Sequence, residues 1–431
     1  MKNYLPTFIM KAKLFIITCL SVVTACSDYD SSQEVYYTNS TSTSDIRSLD
    51  EALKIAQSSI SLLESDAVTR SLSGRKINLK DCKIVKAGLT RNAKNVNDTI
   101  LYIFNFENNE GFAVVSALRN TEGLIAVTEK GNYSSDTPTG ISGFDMYMDF
   151  AKEYIVNSKT TKTRTLGDEQ YKDSTIITYE IIVSPMVNVA WGQTYPEGEF
   201  CPNGIAGCTN TAIAQIMSHF EYPDSIQLTY PNADKNWETL NWTNMKYHET
   251  GHSLSNCVTP GTHSSIGRLL RQLGMMNNST YYTDGSGTRT STMTYAKSTM
   301  TNLGYITGAW TSYVLGAESQ LDSAHVVLVR GQWDNNIGHV WVLDGYGKRV
   351  TIRQQYKWNN AGFWQPNGLP IISRWGLFHY NWGWYGICNG YFLIPGLDTS
   401  EAFLYDNREG TDVNYVVRNY NENVYRLSVY R

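Results

Sequence analysis

The chain changes its hydrophobic rhythm several times. Lys11 and Lys13 precede a largely apolar run over residues 14–25, LFIITCLSVVTA, which gives way at Cys26 to polar SDYDSSQE. Positive charge, a short apolar core and a small-residue exit predict an export signal over residues 1–26, its twelve-residue apolar run too short for the ~20 residues a helix needs to span a bilayer. Residues 27–48 are Ser/Thr/Asp-rich and predict a polar tether. Leu53, Ala56, Ile60 and Leu63 then recur at helical spacing, while TILYIFNFE, GFAVVSAL and GLIAVTEKGNY read as short strands separated by turn residues. Phe144, Met148, Ala151 and Ile155 mark one face of a second helix. Residues 49–157 therefore predict a small α+β domain. NSKTTKTRTLGDEQYK has no apolar period, and residues 158–173 read as an exposed, cleavable linker.

Residues 174–431 predict a second domain, rich in Trp, Tyr and Gly. After Cys208, the apolar positions Ala212, Ile213, Ile216, Met217 and Phe220 line one face of a helix that Pro223 ends. Val340 and Val342 alternate with Trp341 and Leu343 as in a strand, and Asn381 and Trp382 sit on another that runs into a glycine-rich turn. All seven histidines lie after residue 218, so the chemistry is expected in this half.

Composition narrows the function. With 36 Lys+Arg against 40 Asp+Glu there is no basic excess, and no nucleic-acid partner is expected. Setting aside Cys19 and Cys26 in the signal, Cys82, Cys201, Cys208, Cys257 and Cys388 are odd in number, so at least one thiol stays unpaired within the chain. No CxxC pair suggests structural zinc, and no cofactor is expected. The sequence leaves open which of the other cysteines pair; a bond to Cys208 would defeat any catalytic role for it.

Cys208 falls at a helix N-terminus, where unpaired N–H groups favour a thiolate, and Gly207 before it lets a carbonyl substrate approach. Taken alone, a buried core cysteine explains the segment as well. His339 stands at the start of its strand as a candidate base, and the Asn381 amide can accept a histidine ring proton while the Trp382 indole shields that bond. Cysteine, histidine and asparagine in that order is a papain-like arrangement. Gln193 is a candidate oxyanion donor beside the Cys208 N–H, or an ordinary loop residue. His379, two residues before Asn381, is a rival base. His219, His248, His252, His263 and His325 read as surface or loop residues. HETGH, residues 248–252, has the spacing of a zinc peptidase motif, but its flanks lack helical period and no metal site is expected there.

WGQTYP, GCTNTAIAQIM, GHVWVLDGY and FHYNWGWYGICNGYF together resemble the streptopain-type peptidases, papain-like bacterial cysteine endopeptidases made as zymogens. GFAVVSALRNTEGLIAVTEKGNY resembles that family's inhibitory propeptide. The resemblance implies Cys208 as nucleophile, His339 as general base and acid, Asn381 as its orienter, Trp382 as its shield and Gln193 as oxyanion donor, with Gly207 and Gly338 near the substrate. It also implies a subsite for an apolar side chain, for which Trp341 and Ile387 are candidates. Thr209 and Asn210 depart from the small, apolar residues usual after the nucleophile, and YYTDGSGTRTSTMTYA matches the family's pocket loop only loosely. VTAC resembles a bacterial lipobox, which implies a lipid on Cys26.

The expectation is an exported, lipid-anchored cysteine endopeptidase zymogen of α+β fold, acting on protein or peptide substrates with its own prodomain as intramolecular inhibitor. It would sit at a bacterial membrane, periplasmic or on the cell surface, and be released on maturation or remain anchored. The alternatives are a non-catalytic surface-binding lipoprotein, its 29 tyrosines gripping a partner, and a zinc metallopeptidase built on HETGH.

Overall fold

The computed structural model describes residues 35–38, 46–64, 74–86, 98–158, 171–247, 262–311, 316–332, 338–393 and 424–431. Cys26, the HETGH segment and Cys257 lie outside these residues. Among the described residues no helix is long and apolar enough to cross a membrane.

The first domain is built as its periodicity predicts. Helix Leu49–Ser59 starts in a capping box: the Ser48 hydroxyl accepts from the Glu51 N–H, and the Glu51 carboxylate accepts from the Ser48 N–H. Ala52, Ile55 and Ala56 turn inward from it. After the short strand β1 (Val35–Thr38) come β2 (Ile77–Lys86), β3 (Thr99–Phe106), β4 (Phe112–Ser116) and β5 (Leu124–Thr128), the last four forming an antiparallel meander. Helix Ser142–Ser158 closes the domain with Phe144, Tyr147, Met148 and Ala151 buried.

The first domain's sheet does not stop at its own edge, which no local pattern foretells: β5 pairs antiparallel with the second domain's strand Gly390–Leu393. That strand pairs with Ile371–Asn381, which pairs with the long strand Gly338–Trp358, then Val326–Gln332 and Val424–Tyr430. One sheet runs through both domains. The segment read as linker also differs: β6 (Tyr171–Val183) begins inside it and pairs along Gly338–Trp358, with β1 on its outer side. Residues 159–170 lie outside the described part.

The sheet's two faces carry different partners. Trp341, Leu343, Tyr380, Trp382 and Phe392 share one core with the first domain, while Val340 and Val342 face helices Cys208–Phe220, Thr262–Met276 and Thr292–Asn302. The period of two along a strand divides these residues, so odd positions near residue 341 face the first domain and even ones face the helices.

Candidate active site

Cys208 is the first residue of helix Cys208–Phe220, and Gly207 before it has φ 91°, a left-handed conformation that favours glycine. A Cβ on Gly207 would also stand 3.0 Å from Thr288 Cγ2. Thr288 belongs to the glycine-rich segment, which is tied down beside the helix start by Asn203 Nδ2, donating to Tyr282 O and Gly287 O at 3.1 and 2.9 Å. Among the described residues Cys82, Cys201, Cys208 and Cys388 are all free thiols.

The helix N-terminus alone does not set the thiol's acidity. Burial pushes the Cys208 thiol above its ordinary range, against backbone N–H groups of Val340 and Thr209 that favour the thiolate. The expected lowering is therefore not met in this structure, where desolvation outweighs the helix end. The Val340 contact nevertheless places the sulfur against the residue next to His339.

His339 faces the other way. Sharing parity with Trp341, it points to the first domain, is 3% exposed, and donates from Nε2 to the Trp382 carbonyl at 2.9 Å. Nδ1 then accepts from the Ser142 hydroxyl at 3.3 Å. Burial lowers its pKa to about 4, partly offset by the Trp382 carbonyl, so the ring is neutral. Gly143 is pressed so closely on it that a Cβ there would lie 2.4 Å from His339 Cδ2 and 2.9 Å from the Trp382 ring. Asp145 fixes this helix start by accepting from Thr139 N and Oγ1 and from Gly140 N.

Asn381 lies on the helix face of the sheet. Its Oδ1 accepts from Gln215 Nε2 at 3.0 Å and from Gly383 N, and its Nδ2 donates to Val189 O. The structure thus brings Asn381 to the nucleophile helix and does not bring His339 to Asn381 or to Cys208: base and orienter sit on opposite faces. Trp382 is fully buried, with Nε1 donating to Cys388 O.

Gln193 is buried beside the helix start, its carbonyl accepting from Ala206 N at 2.7 Å, while its Nε2 has no partner among the described residues. A buried amide donor without an acceptor is uncommon and suits an atom that is to receive a developing charge. Sequence reasoning missed what holds it. Tyr385 lies flat on Gly192, where a Cβ would come within 2.1 Å of its ring, and its hydroxyl bonds Thr194 N and Oγ1. Buried Glu197 accepts from Gly192 N. Gln215, Ser142 and Gly143 were missed too; a glutamine inside the apolar run AIAQIM was the available signal for the first.

The other candidates fall elsewhere. His379 is bonded through Nδ1 to Asp344 Oδ1 at 2.6 Å and has Glu129 Oε1 3.4 Å from Nε2, so the rival base is an ion-pair partner. Burial lowers its pKa, but the two carboxylates outweigh that and hold it at about 10. Trp341 is fully buried in the core shared with the first domain, and Ile387 packs toward Gly131 of the first domain. Thr209 and Asn210 are buried in a polar network with Thr292, Ser279 and Asn277. Gly338 is exposed at its strand start. His219 and His325, expected as surface or loop residues, are half-buried, bonded to Met186 O and Gln320 Oε1.

Residues 191–392 match the model of the Peptidase C10 family, and residues 40–172 that of the Spi protease inhibitor. Thiol protease/hemagglutinin PrtT of Porphyromonas gingivalis is 25% identical over 338 residues, 69% of this chain and 34% of the relative, so the chain spans about a third of that protein. Streptopain of Streptococcus pyogenes is 21% identical over 363 residues, 74% of this chain and 79% of the relative. Among solved structures, a fragment of Prevotella intermedia prointerpain A covers 81% of this chain and 98% of its own, at 20% identity and a TM-score of 0.46.

Proposed function

The chain carries a peptidase C10 (streptopain family) domain behind a Spi protease inhibitor prodomain, and on that premise we propose that it is a latent cysteine endopeptidase whose described form is the closed precursor. Cys208 is the nucleophile and His339 its base. In the open form the His339 ring leaves Ser142 and the Trp382 carbonyl, turns round the end of its strand, and meets Cys208 on one side and the Asn381 amide on the other. The thiolate attacks the peptide carbonyl, and the oxyanion is held by the Cys208 N–H and Gln193 Nε2. His339 then gives its proton to the leaving amine, and water attacks the thioester with His339 as base.

The observation that carries this reading is the seat of Ser142 and Gly143 on His339, which leaves the base no room to approach the thiol. Activation requires the prodomain to withdraw, and the basic, Thr-rich residues 158–170 are where a cut would free it, by the enzyme itself. An apolar side chain on the substrate, second before the cut, is the proposed specificity element. Export follows from the residue 1–26 signal and membrane attachment from a lipid on Cys26, placing the enzyme in the periplasm or at the cell surface.

Titration of the active thiol tests the reading. An alkylating epoxide should label Cys208 in cleaved protein and leave the intact precursor almost unlabelled, while chelators leave hydrolysis unchanged. Equal labelling of both forms would remove the latency claim; inhibition by chelators with indifference to the epoxide would restore HETGH.

A further inference from the structure

The long strand Gly338–Trp358 and its partner Ile371–Asn381 extend beyond the body of the protein as an arm, closed by a short strand Trp364–Pro366 that pairs back at Trp358. From residue 353 to 372 nearly every position is exposed or half-buried. Soluble surfaces seldom gather large apolar side chains in one projecting element, yet here Leu369 is 90% exposed, Ile371 64%, Phe363 56%, and Trp358 and Ile372 nearly half. Trp358 and Trp364 meet edge to face at 5.2 Å, so the tip is structured.

The charge on the arm's own strands has one sign. Residues 345–393 contain Lys348, Arg349, Arg353, Lys357 and Arg374 and no Asp or Glu. Arg349 is committed to Glu122 inside the fold, but Arg353 and Arg374 are exposed on the arm. The flanking strand β6 adds Lys172, Asp173 and Glu180, which leaves the arm itself cationic.

We infer that this arm docks on an anionic lipid bilayer, its indole, phenyl and aliphatic side chains entering the headgroup boundary and its guanidinium and ammonium groups meeting lipid phosphates. Exposed tryptophan beside cationic residues matches the chemistry of that boundary, apolar on one side and negatively charged on the other. The chain's entry into the fold agrees. Strand β1 pairs with β6, which pairs with the arm, so Val35 lies two strands away from it. The nine residues from Cys26 to Val35 reach about 30 Å at most, which keeps an attached lipid and the arm at one surface. In this last respect the inference rests on the proposed Cys26 anchor. Two weak attachments at one surface hold far better than either alone.

The test uses the chain with Cys26→Ser, which cannot be lipidated, so failure of the anchor reading does not affect it. Binding is measured by co-sedimentation with vesicles of phosphatidylcholine alone and with phosphatidylglycerol added, in low and high salt, alongside tryptophan fluorescence. The inference expects binding that needs the anionic lipid, falls with salt, shifts the emission to the blue, and drops about ten-fold or more in Phe363→Ser/Leu369→Ser and several-fold in Arg353→Gln/Arg374→Gln, with peptide hydrolysis by the matured variants unchanged. Equal binding by the variants, equal binding to neutral vesicles, or no binding at all overturns it. So does self-association of the intact chain that the Phe363→Ser/Leu369→Ser pair abolishes, without vesicle binding, since the arm would then be an interface between copies.

Discussion

Gly143→Ala isolates the contact by which the prodomain holds His339. The added methyl would stand 2.4 Å from His339 Cδ2 and 2.9 Å from two atoms of the Trp382 ring. Neither ring can yield easily, because Trp382 is packed against Trp341 at 5.1 Å and Phe144 at 6.4 Å, and His339 lies parallel to Trp341 at 6.3 Å. Overpacking of this kind costs about 1–3 kcal/mol, equivalent to about five- to 150-fold in an equilibrium. Alanine is the better helix former, so helix Ser142–Ser158 is not itself weakened and the loss falls on docking. The assay is the rate of epoxide labelling of Cys208 in intact precursor, read by mass before any cut, beside hydrolysis of a peptide substrate. Both should rise by a factor in that range, while the matured enzyme, having shed residue 143, is unchanged. A variant as latent as the parent, with the same thermal midpoint, would refute the claim that this contact enforces latency.

The same geometry sets further outcomes. Cys208→Ala should abolish hydrolysis and His339→Ala nearly so, whereas Gln193→Ala should lower kcat by ~10²- to 10³-fold with little change in KM; a KM effect alone would place Gln193 outside the oxyanion site. The docked His339 ring titrates at about 4 against ~6.5 for a free one, so the released state takes up a proton that the docked state cannot. Docking therefore weakens as pH falls from ~6.5 toward 4, and in the Cys208→Ala chain amide exchange across helix Ser142–Ser158 should be less protected relative to intrinsic rates at pH 5 than at pH 7.5; equal protection would contradict this. For His379 the sign is opposite: its pKa is raised to about 10, so its pairing with Asp344 and Glu129 contributes fully below ~6.5 and is lost as pH rises through about 10. Glu122→Gln leaves the buried Arg349 guanidinium without its partner and should lower precursor stability by about 3–5 kcal/mol in denaturant melts, a change under 1 kcal/mol arguing against the pair.

Local pattern carried much of this structure. The apolar spacing through Ala212, Ile216 and Phe220 foretold helix Cys208–Phe220, and that through Phe144, Met148 and Ile155 foretold helix Ser142–Ser158. Strands β3, β4 and β5 lie within the three runs read as strands. What stayed hidden is non-local. No periodicity says that β5 continues onto Gly390–Leu393, or that Glu122 meets Arg349, because sheet pairing depends on partners remote in sequence. Cys208, His339 and Asn381 were readable as residue types in order, yet alternation had already put His339 with Trp341 on the face away from the nucleophile helix. That parity was available, but without knowing which domain covers which face it could not be given meaning.

The shared sheet makes cutting and releasing different events. Cleavage between residues 158 and 170 breaks one covalent link but leaves the β5 pairing with Gly390–Leu393, the aromatic cluster around Phe144, and the Glu122–Arg349 pair all in place. A nicked molecule can therefore remain silent, with departure of the severed piece as the slow step. When that piece does leave, it uncovers a naked strand edge, Gly390–Leu393, whose Tyr391, Phe392 and Leu393 are now buried. Such an edge readily recruits other chains. The freed enzyme would then show its greatest tendency to clump just after release, and the detached piece would act as its solubilising chaperone until it is destroyed.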